Sequence, residues 1–408
     1  MAHCPLLFPQ ANSMLTALRA LPRTVWLIGL ISLLNDAAGE MIYPLIPLYL
    51  ASVLMAGPRA LGLIEGLAEA TSSLLKLVSG VLVDRTGKSK SLIVFGYSLA
   101  GFGRPLIAFV TSWHGLLLIR VADRVGKGLR SSPRDALLAA SVTPDRRGLA
   151  FGLHRAMDNA GAVVGPLIAA GLLGFGVGMR EVFLWAAVPA VICVILALAL
   201  REPPLTVAPV AKPFDWRLRD LSPRLRRYLL VVAVFTLGNS SNLFLLLRAR
   251  ELGVTDVEIP LLWAGVSVVA MLFTTPLSAL SDRFGRVRLL VIGYVAYSAV
   301  YLCMGLLNHA GPLMFALFAS YGLFFAATEG VEKALVADLA ADEQRGTAYG
   351  WFNLVSGLLL LPASLLFGWL YQATSALTAF SFGAACALLA ALLLWFWLGD
   401  SAKEAANS

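Results

Sequence analysis

The chain repeats itself at an offset of 198 residues, and the repeated pieces sit between long apolar runs. Asp84-Arg85-x-Gly87-Lys88-x-Lys90 returns as Asp282-Arg283-x-Gly285-Arg286-x-Arg288. Arg147-Gly148-x-Ala150-Phe151-Gly152 returns as Arg345-Gly346-x-Ala348-Tyr349-Gly350, and Asp135-Ala136-Leu137-Leu138-Ala139 returns more loosely as Lys333-Ala334-Leu335-Val336-Ala337. Several matches at one offset mean two similar halves in tandem. Halves built almost wholly of apolar segments point to a membrane protein made of two pseudo-symmetric bundles.

Of the 408 residues, 59% are hydrophobic and only 14% charged, against roughly 25% charged in soluble domains. The mean hydropathy is +0.79. The apolar runs each approach the ~20 residues that cross a bilayer. The bilayer interior leaves the backbone no partner but its own helix, or a closed barrel. Twelve helical spans are expected, near 25–50, 58–83, 91–111, 114–140, 148–173, 180–200, 228–247, 259–281, 289–308, 312–338, 346–371 and 375–398. Pro44, Pro47, Pro133, Pro166, Pro276 and Pro362 interrupt several of them, as prolines in membrane helices often do.

The basic residues crowd the loops on one side, whereas the other side's loops hold Arg59, Arg180, Arg248 and Arg250. That asymmetry places both termini in the cytoplasm. It also explains the basic balance without nucleic acid as a partner. The expected order is a cytoplasmic tail (1–24), a six-helix bundle (25–200), a cytoplasmic linker (201–227), a second six-helix bundle (228–398) and a tail (399–408). The linker carries seven basic residues, suited to tethering or to anionic lipid. Cys4, Cys193, Cys303 and Cys386 are far apart, as are the four histidines, so neither a disulfide framework nor a metal site is expected. No nucleophile elbow or Walker loop is present, and no cofactor is implied.

Preceded by Gly80, the segment Asp84-Arg85-x-Gly87-Lys88-x-Lys90 falls between spans two and three. Here the chain resembles the major facilitator superfamily, whose signature in that loop is G-x-x-x-D-R-x-G-R/K-x-R/K. The second copy, Asp282, Arg283, Gly285 and Arg286, has Ser278 in place of the leading glycine. A carboxylate at a helix end accepts from basic side chains or from a neighbouring helix N-terminus. Asp84 and Asp282 therefore read as latches of a cytoplasmic gate, with Arg85, Lys88, Arg283 and Arg286 around them; a plain positive-inside turn is the simpler reading. Span five carries Gly152-x8-Gly161-x3-Gly165-Pro166-x2-Ala169-Ala170. This is similar to the antiporter motif of the superfamily's drug/proton exporters, with two alanines where that motif ends in glycines. Its glycines let two helices approach closely; ordinary small-residue packing explains them as well.

Span four contains Arg124-Val125-Gly126-Lys127-Gly128-Leu129-Arg130, similar to the family's R-x-x-Q-G-x-G pattern with Lys127 for Gln. The resemblance links Arg124 to proton transfer. Independently, Arg120, Asp123, Arg124, Lys127, Arg130 and Arg134 recur every three or four residues, a charged stripe along one helix. Each charge at a bilayer centre costs ~2.5–3.5 kcal/mol, so the stripe must face a cavity or other charges. Candidate partners are Asp36 and Glu40 in span one, Glu65, Glu69 and Lys76 in span two, Arg104 in span three, and Arg155 and Asp158 in span five. The cluster reads as a proton or substrate pathway, or as ion pairs bracing the first bundle. Asp36 and Glu69 are the first candidates for proton carriers.

The second half is nearly free of such charges except Glu329, Glu332 and Lys333. Glu332-Lys333 takes the place of Arg134-Asp135 with the signs reversed. Contacts Arg134–Glu332 and Asp135–Lys333 are therefore expected to close the inside. Asn239, Asn242, Tyr321 and Trp351 would give this half a polar-aromatic wall.

The resemblance implies an alternating-access transporter in a bacterial cytoplasmic membrane, multi-pass and monomeric. The expected activity is proton-coupled export of small organic molecules, with protons, substrate and lipid as partners. The alternative is a proton-coupled importer of a small organic anion. A membrane sensor or an enzyme has less behind it, since two carboxylates are thin evidence for catalysis.

Overall fold

The computed structural model describes residues 18–86, 89–143, 146–201, 218, 221–340 and 344–399, without the side chains of 81 and 83–86. Among them the regular structure is helical. In chain order the helices are α1 (Arg23–Ile42), α2 (Ile46–Ser52), α3 (Pro58–Thr86), α4 (Lys90–Leu106), α5 (Trp113–Ala140), α6 (Arg147–Gly174), α7 (Met179–Trp185), α8 (Ala187–Leu198), α9 (Pro223–Gly238), α10 (Leu243–Glu251), α11 (Glu258–Phe284), α12 (Arg286–Leu306), α13 (Pro312–Leu339), α14 (Arg345–Ala373) and α15 (Ala376–Leu398).

Local chemistry sets several of these boundaries. Ser112, Ser222 and Ser375 each accept a hydrogen bond at a helix start, from the backbone N–H of Gly115, Leu225 and Thr378, which satisfies donors the first turn leaves orphaned. Pro223 and Pro312 stand in first turns, where a missing N–H costs nothing. Three crossings are joined from two pieces. A 3-10 turn at Tyr43–Leu45, containing Pro44, joins α1 to α2, and Ala186 separates α7 from α8. Between α9 and α10 the helix stops at Asn239 (φ −90°, ψ 79°). By contrast Pro133, Pro166, Pro276 and Pro362 all lie inside unbroken helices.

Among the described residues, ten helical stretches are long and apolar enough to cross a membrane. Two more, α3 and α5, are 29 and 28 residues long and carry charged residues along their length. Outward faces are apolar: Phe95, Phe102, Leu118, Ile195, Leu272 and Phe396 are all exposed, the inverse of a water-soluble fold.

Within the first half α1 packs on α6 and α8, and α5 packs on α3 and α4. Within the second, α12 packs on α15 and α13, α11 on α13, and α9 on α15 and α14. Two long contacts join the halves, α3 with α14 and α6 with α11. In the first of these glycine is required: a side chain at Gly62 would meet the carbonyl of Ser364 at 2.2 Å, and one at Gly368 the carbonyl of Pro58 at 2.5 Å.

Candidate functional site: a charged interior between two halves

The loops fall on two faces. On one, Arg146 donates to the carbonyl of Ala20, and Ser222 to that of Leu339; we call it the terminal face. On the other, the backbone N–H of Ala310 donates to the carbonyl of Leu252, and Tyr49 to that of Val110.

On the opposite face the two halves are in direct contact. Arg250 reaches the carbonyl of Leu48 at 3.4 Å, and the N–H of Arg59 donates to Gln372 at 3.2 Å. Just inside this seam Trp263 donates its indole N–H to Glu40 at 2.8 Å, with the Tyr43 ring centred 5.3 Å from that of Trp263. Ser241 lies 3.5 Å from Glu65 Oε2. Nearer the terminal face the halves are joined by an ion pair between Arg155 and Glu329, whose side chains are 54% and 42% exposed. These half-exposed charges, on membrane-length helices of opposite halves, bridge the two halves near the terminal face.

Between these levels lies the charged stripe of α5. Arg120 grips Glu65 Oε1 through Nε (2.9 Å) and Nη2 (2.6 Å). Arg104 donates to Asp123 at 2.9 Å and to the carbonyl of Asn35 at 2.7 Å. Arg124 donates Nη1 to Asp123 at 3.1 Å. Its Nε is 2.7 Å from Glu69, but the N–H is not aimed along that line, so this contact is an ion pair rather than a linear hydrogen bond. Arg104, Arg120 and Arg124 are thus matched one for one by Asp123, Glu65 and Glu69. A buried charge left alone is far costlier than a matched one, which is why the six travel together. Further along, Arg130 stacks over Tyr97, 4.6 Å from the ring centre.

Asp36, Glu40 and Asp158 have another environment: among the described residues none has an arginine or lysine within 4 Å. Asp36 accepts from Asn35 at 2.8 Å, and Glu40 from Trp263. Asp158 lies 3.8 Å from His154 Nδ1, and its Oδ1 is buried without a hydrogen bond. His154 Nε2 is in turn 2.8 Å from Ser32 Oγ. The α1–α6 interface sets these positions. A side chain at Gly161 would meet the carbonyl of Leu33 at 2.4 Å and Cβ of Asp36 at 3.0 Å; one at Gly165 would meet the carbonyl of Ala37 at 2.5 Å and Cβ of Glu40 at 3.0 Å. Gly161 and Gly165 of the span-five motif therefore each back onto a carboxylate residue of α1. Gly152 does not share this job, since nothing lies within 4 Å of a side chain there. Pro166, next to Gly165, is buried in the same helix.

The expected gate contacts are not the ones formed. Arg134 turns to its own half, binding Asp135 at 3.0 Å and approaching Ser32 at 3.4 Å. Glu332 accepts from Tyr294 of α12 at 2.9 Å, and Lys333 lies 4.0 Å from Glu329. Helix register sets the partners seen in this conformation: Glu329, one turn before Lys333, occupies the face of α13 that meets the first half, while Glu332 is rotated back towards α12. In the second loop motif Asp282 is 65% exposed and 3.5 Å from Arg286. The basic residue makes the tighter bond, Arg286 to Asp338 at 2.5 Å, fastening α12 to the end of α13. Gly285 has φ +90°, where glycine is favoured. Gly80 has only ordinary contact with Ser132. Gly87 and Lys88 lie outside the described residues, as do the side chains of Asp84 and Arg85.

The second half is lined differently. Tyr321 donates to Asn242 at 2.7 Å and Tyr297 to the carbonyl of Gly238 at 3.1 Å. Phe235 stacks on Tyr294 and Tyr297 on Tyr301, each pair 4.1 Å between centres. Trp351 packs half-buried against the main apolar core. Trp263, Tyr43 and Ser241 were not anticipated. Trp263 sits in an ordinary apolar run, so only its partner Glu40 across the seam reveals it.

Such helices, in two joined halves with a matched charge network inside the first, have the architecture of a membrane transporter. The chain matches the family model described as Major Facilitator Superfamily over residues 28–247 and again over 228–408, and it belongs to that superfamily. An uncharacterized MFS-type transporter of Methanocaldococcus jannaschii is 35% identical over 93% of this chain and 96% of its own length. The multidrug resistance protein MdtH of Photorhabdus laumondii is 26% identical, covering 83% and 84%. The crystal structure of the nucleoside transporter NupG superposes with a TM-score of 0.78 at 14% identity, over 92% of this chain and all (100%) of that one; this last likeness concerns the fold.

Proposed function

We propose that the chain is a secondary transporter working by alternating access. In this reading it has twelve spans, counting α3 and α5, in two six-helix bundles (25–200 and 228–398) joined by the linker 201–227. The terminal face is cytoplasmic and the protein works as a monomer in a bacterial inner membrane. Proton movement drives transport of a small organic molecule. Export is the first reading, supported by the MdtH relatives and by the span-five glycines. Import of a small organic anion is the second, and the unpaired lysines treated below favour it.

The observation that carries proton coupling is the sorting of carboxylates. Glu65, Glu69 and Asp123 are held by arginines and act as braces. Asp36 and Asp158 share the α1–α6 interface with no such partner, Asp158 lying one turn from the glycine that abuts Asp36. These two are therefore the carboxylates left to carry a proton. The carrier role thus moves from Glu69 to the Asp36–Asp158 pair.

The test is proton movement in proteoliposomes under an imposed pH gradient, with a panel of organic cations, anions and zwitterions. Substrate-evoked flux lost in Asp36→Asn but kept at least in part in Glu69→Gln is expected. Flux that survives in Asp36→Asn and in Asp158→Asn would sink the assignment. Whether the evoking compound moves with or against the proton decides the direction.

A further inference from the structure

Two lysines stand outside the charge matching described above. Lys76 on α3 and Lys127 on α5 are both half-buried, and among the described residues neither has a carboxylate within 4 Å. They are held near each other by a tight helix contact. A side chain at Gly128 would meet Leu75 Cβ at 2.5 Å and the carbonyl of Ser72 at 2.9 Å. Ser79 donates to the carbonyl of Gly128, and Ser132 to that of Lys76, both at 2.8 Å. The residues following Leu75 and preceding Gly128 in this contact are the two lysines. The charges that act on Lys76 are Lys127, Glu69, Arg124 and, from the second half, Lys333. Those that act on Lys127 are Glu69, Arg124, Asp36 and Arg130.

Glu69 is already engaged by Arg124, so neither ammonium group has a carboxylate of its own at contact distance. Two like charges side by side in a membrane interior repel and carry a desolvation cost. A site with that composition is electrostatically incomplete, and an oxyanion completes it.

Resting on the transporter reading but not on its direction, we propose that Lys76 and Lys127 form the anion-binding floor of the cavity, and that the transported molecule carries a carboxylate or phosphoryl group bound there. Lys127 contacts the anion most directly, since it lies nearest the midpoint of its helix. Arg124 is excluded as the main ligand because Glu69 and Asp123 occupy it. Asp36 bears on Lys127 and itself feels Asp158, Arg130 and Arg134. Neutralising Asp36 removes a negative charge beside the anion, so a proton there and an anion on Lys127 reinforce each other, as in a symporter.

The test is equilibrium binding to the full chain in lipid nanodiscs, with citrate and inorganic phosphate as the carboxylate and phosphoryl probes and tetraphenylphosphonium as the cation control. Wild type is expected to bind at least one oxyanion probe at millimolar or lower concentration. Lys127→Gln and Lys76→Gln should each weaken binding by about tenfold or more, while Lys127→Arg, which keeps the charge, should retain most of it. Monodispersity and thermal midpoint separate lost binding from lost folding; if a glutamine variant misfolds, protection of Lys127 from an amine-modifying reagent by the same probes in wild type replaces it. No oxyanion binding in folded wild type, or binding indifferent to both lysines, overturns the proposal. Tight cation binding without oxyanion binding overturns it and leaves the transporter reading intact. Lysine-dependent oxyanion binding, with transport confined to compounds that carry no oxyanion, would uphold the site and overturn its assignment to the transported molecule.

Discussion

The two halves share loop motifs but hold their interiors together by different means. In the first, Arg104, Arg120 and Arg124 are locked to Asp123, Glu65 and Glu69. In the second, Tyr228, Tyr294, Tyr297, Tyr301 and Tyr321 are buried and make ring contacts with phenylalanines and with one another. A charge network tolerates no missing member, because the survivor is left unpaired in a low-dielectric interior. A tyrosine cluster degrades gradually, since ring packing persists when one hydroxyl is lost. The first half is therefore suited to holding or sensing charge, and the second to giving a neutral wall against which the first can move.

The largest effect expected from this contrast is in the first half. Asp123→Asn leaves Arg104 and part of Arg124 without a counter-charge, and breaking such a buried pair costs about 3–5 kcal/mol. A fall in thermal midpoint and in folded yield from membranes is expected. Arg104→Met combined with Asp123→Leu should recover much of the loss, because an apolar pair replaces the ion pair. If the double variant is no better than Asp123→Asn, the residues are not acting as a matched pair.

Next in size is the close contact of α1 with α6. Gly161→Ala forces a methyl against the carbonyl of Leu33 at 2.4 Å. Overpacking of this kind costs typically about 1–3 kcal/mol, and it also displaces Asp36. Gly152→Ala meets nothing and should leave stability and transport unchanged. Equal sensitivity at the two positions would contradict the division of labour between these glycines.

In the second half the predicted effects are smaller. Tyr321→Phe removes the hydrogen bond to Asn242 and keeps the ring, so a loss of about 1 kcal/mol is expected. Denaturation of the purified protein would measure it. A loss as large as that of Asp123→Asn would erase the contrast between the halves.

Much of this was legible in the sequence because membrane insertion is so strict. Apolar runs and basic loops locate the helices within a few residues: the expected 114–140 is Trp113–Ala140, and 312–338 is Pro312–Leu339. Of the six prolines named, Pro44 and Pro47 fall at a break, whereas the other four sit within continuous helices. The break at Asn239 arises instead from a polar run, Asn239-Ser240-Ser241-Asn242. The charged stripe on α5 was visible through its spacing, but spacing along one helix does not say which carboxylate meets which arginine. That depends on rotation of neighbouring helices, set by contacts such as Gly128 on Leu75. Cross-half contacts were the least legible. Symmetry pointed to Arg134–Glu332, yet the pair formed is Arg155–Glu329, because the repeat relates positions in sequence and not the faces that meet in one conformation.

That pair is also where the smallest effect on stability and the clearest effect on motion should coincide. Both partners are half-exposed to water, and exposed ion pairs contribute at most about 1 kcal/mol. Removing the bond should barely move the thermal midpoint. The same energy applied to an equilibrium between open and closed terminal faces changes the population ratio by up to about fivefold. In a background with its four cysteines replaced, Phe151→Cys would report accessibility near this level. Arg155→Glu, which sets two carboxylates face to face, should raise the labelling rate, as should Glu329→Arg. The double reversal restores an opposite pair and should return the rate towards that of the parent. If the single reversals leave labelling unchanged, the contact is incidental to closure, and whatever closes the terminal face lies elsewhere on the α6–α11 or α3–α14 seams.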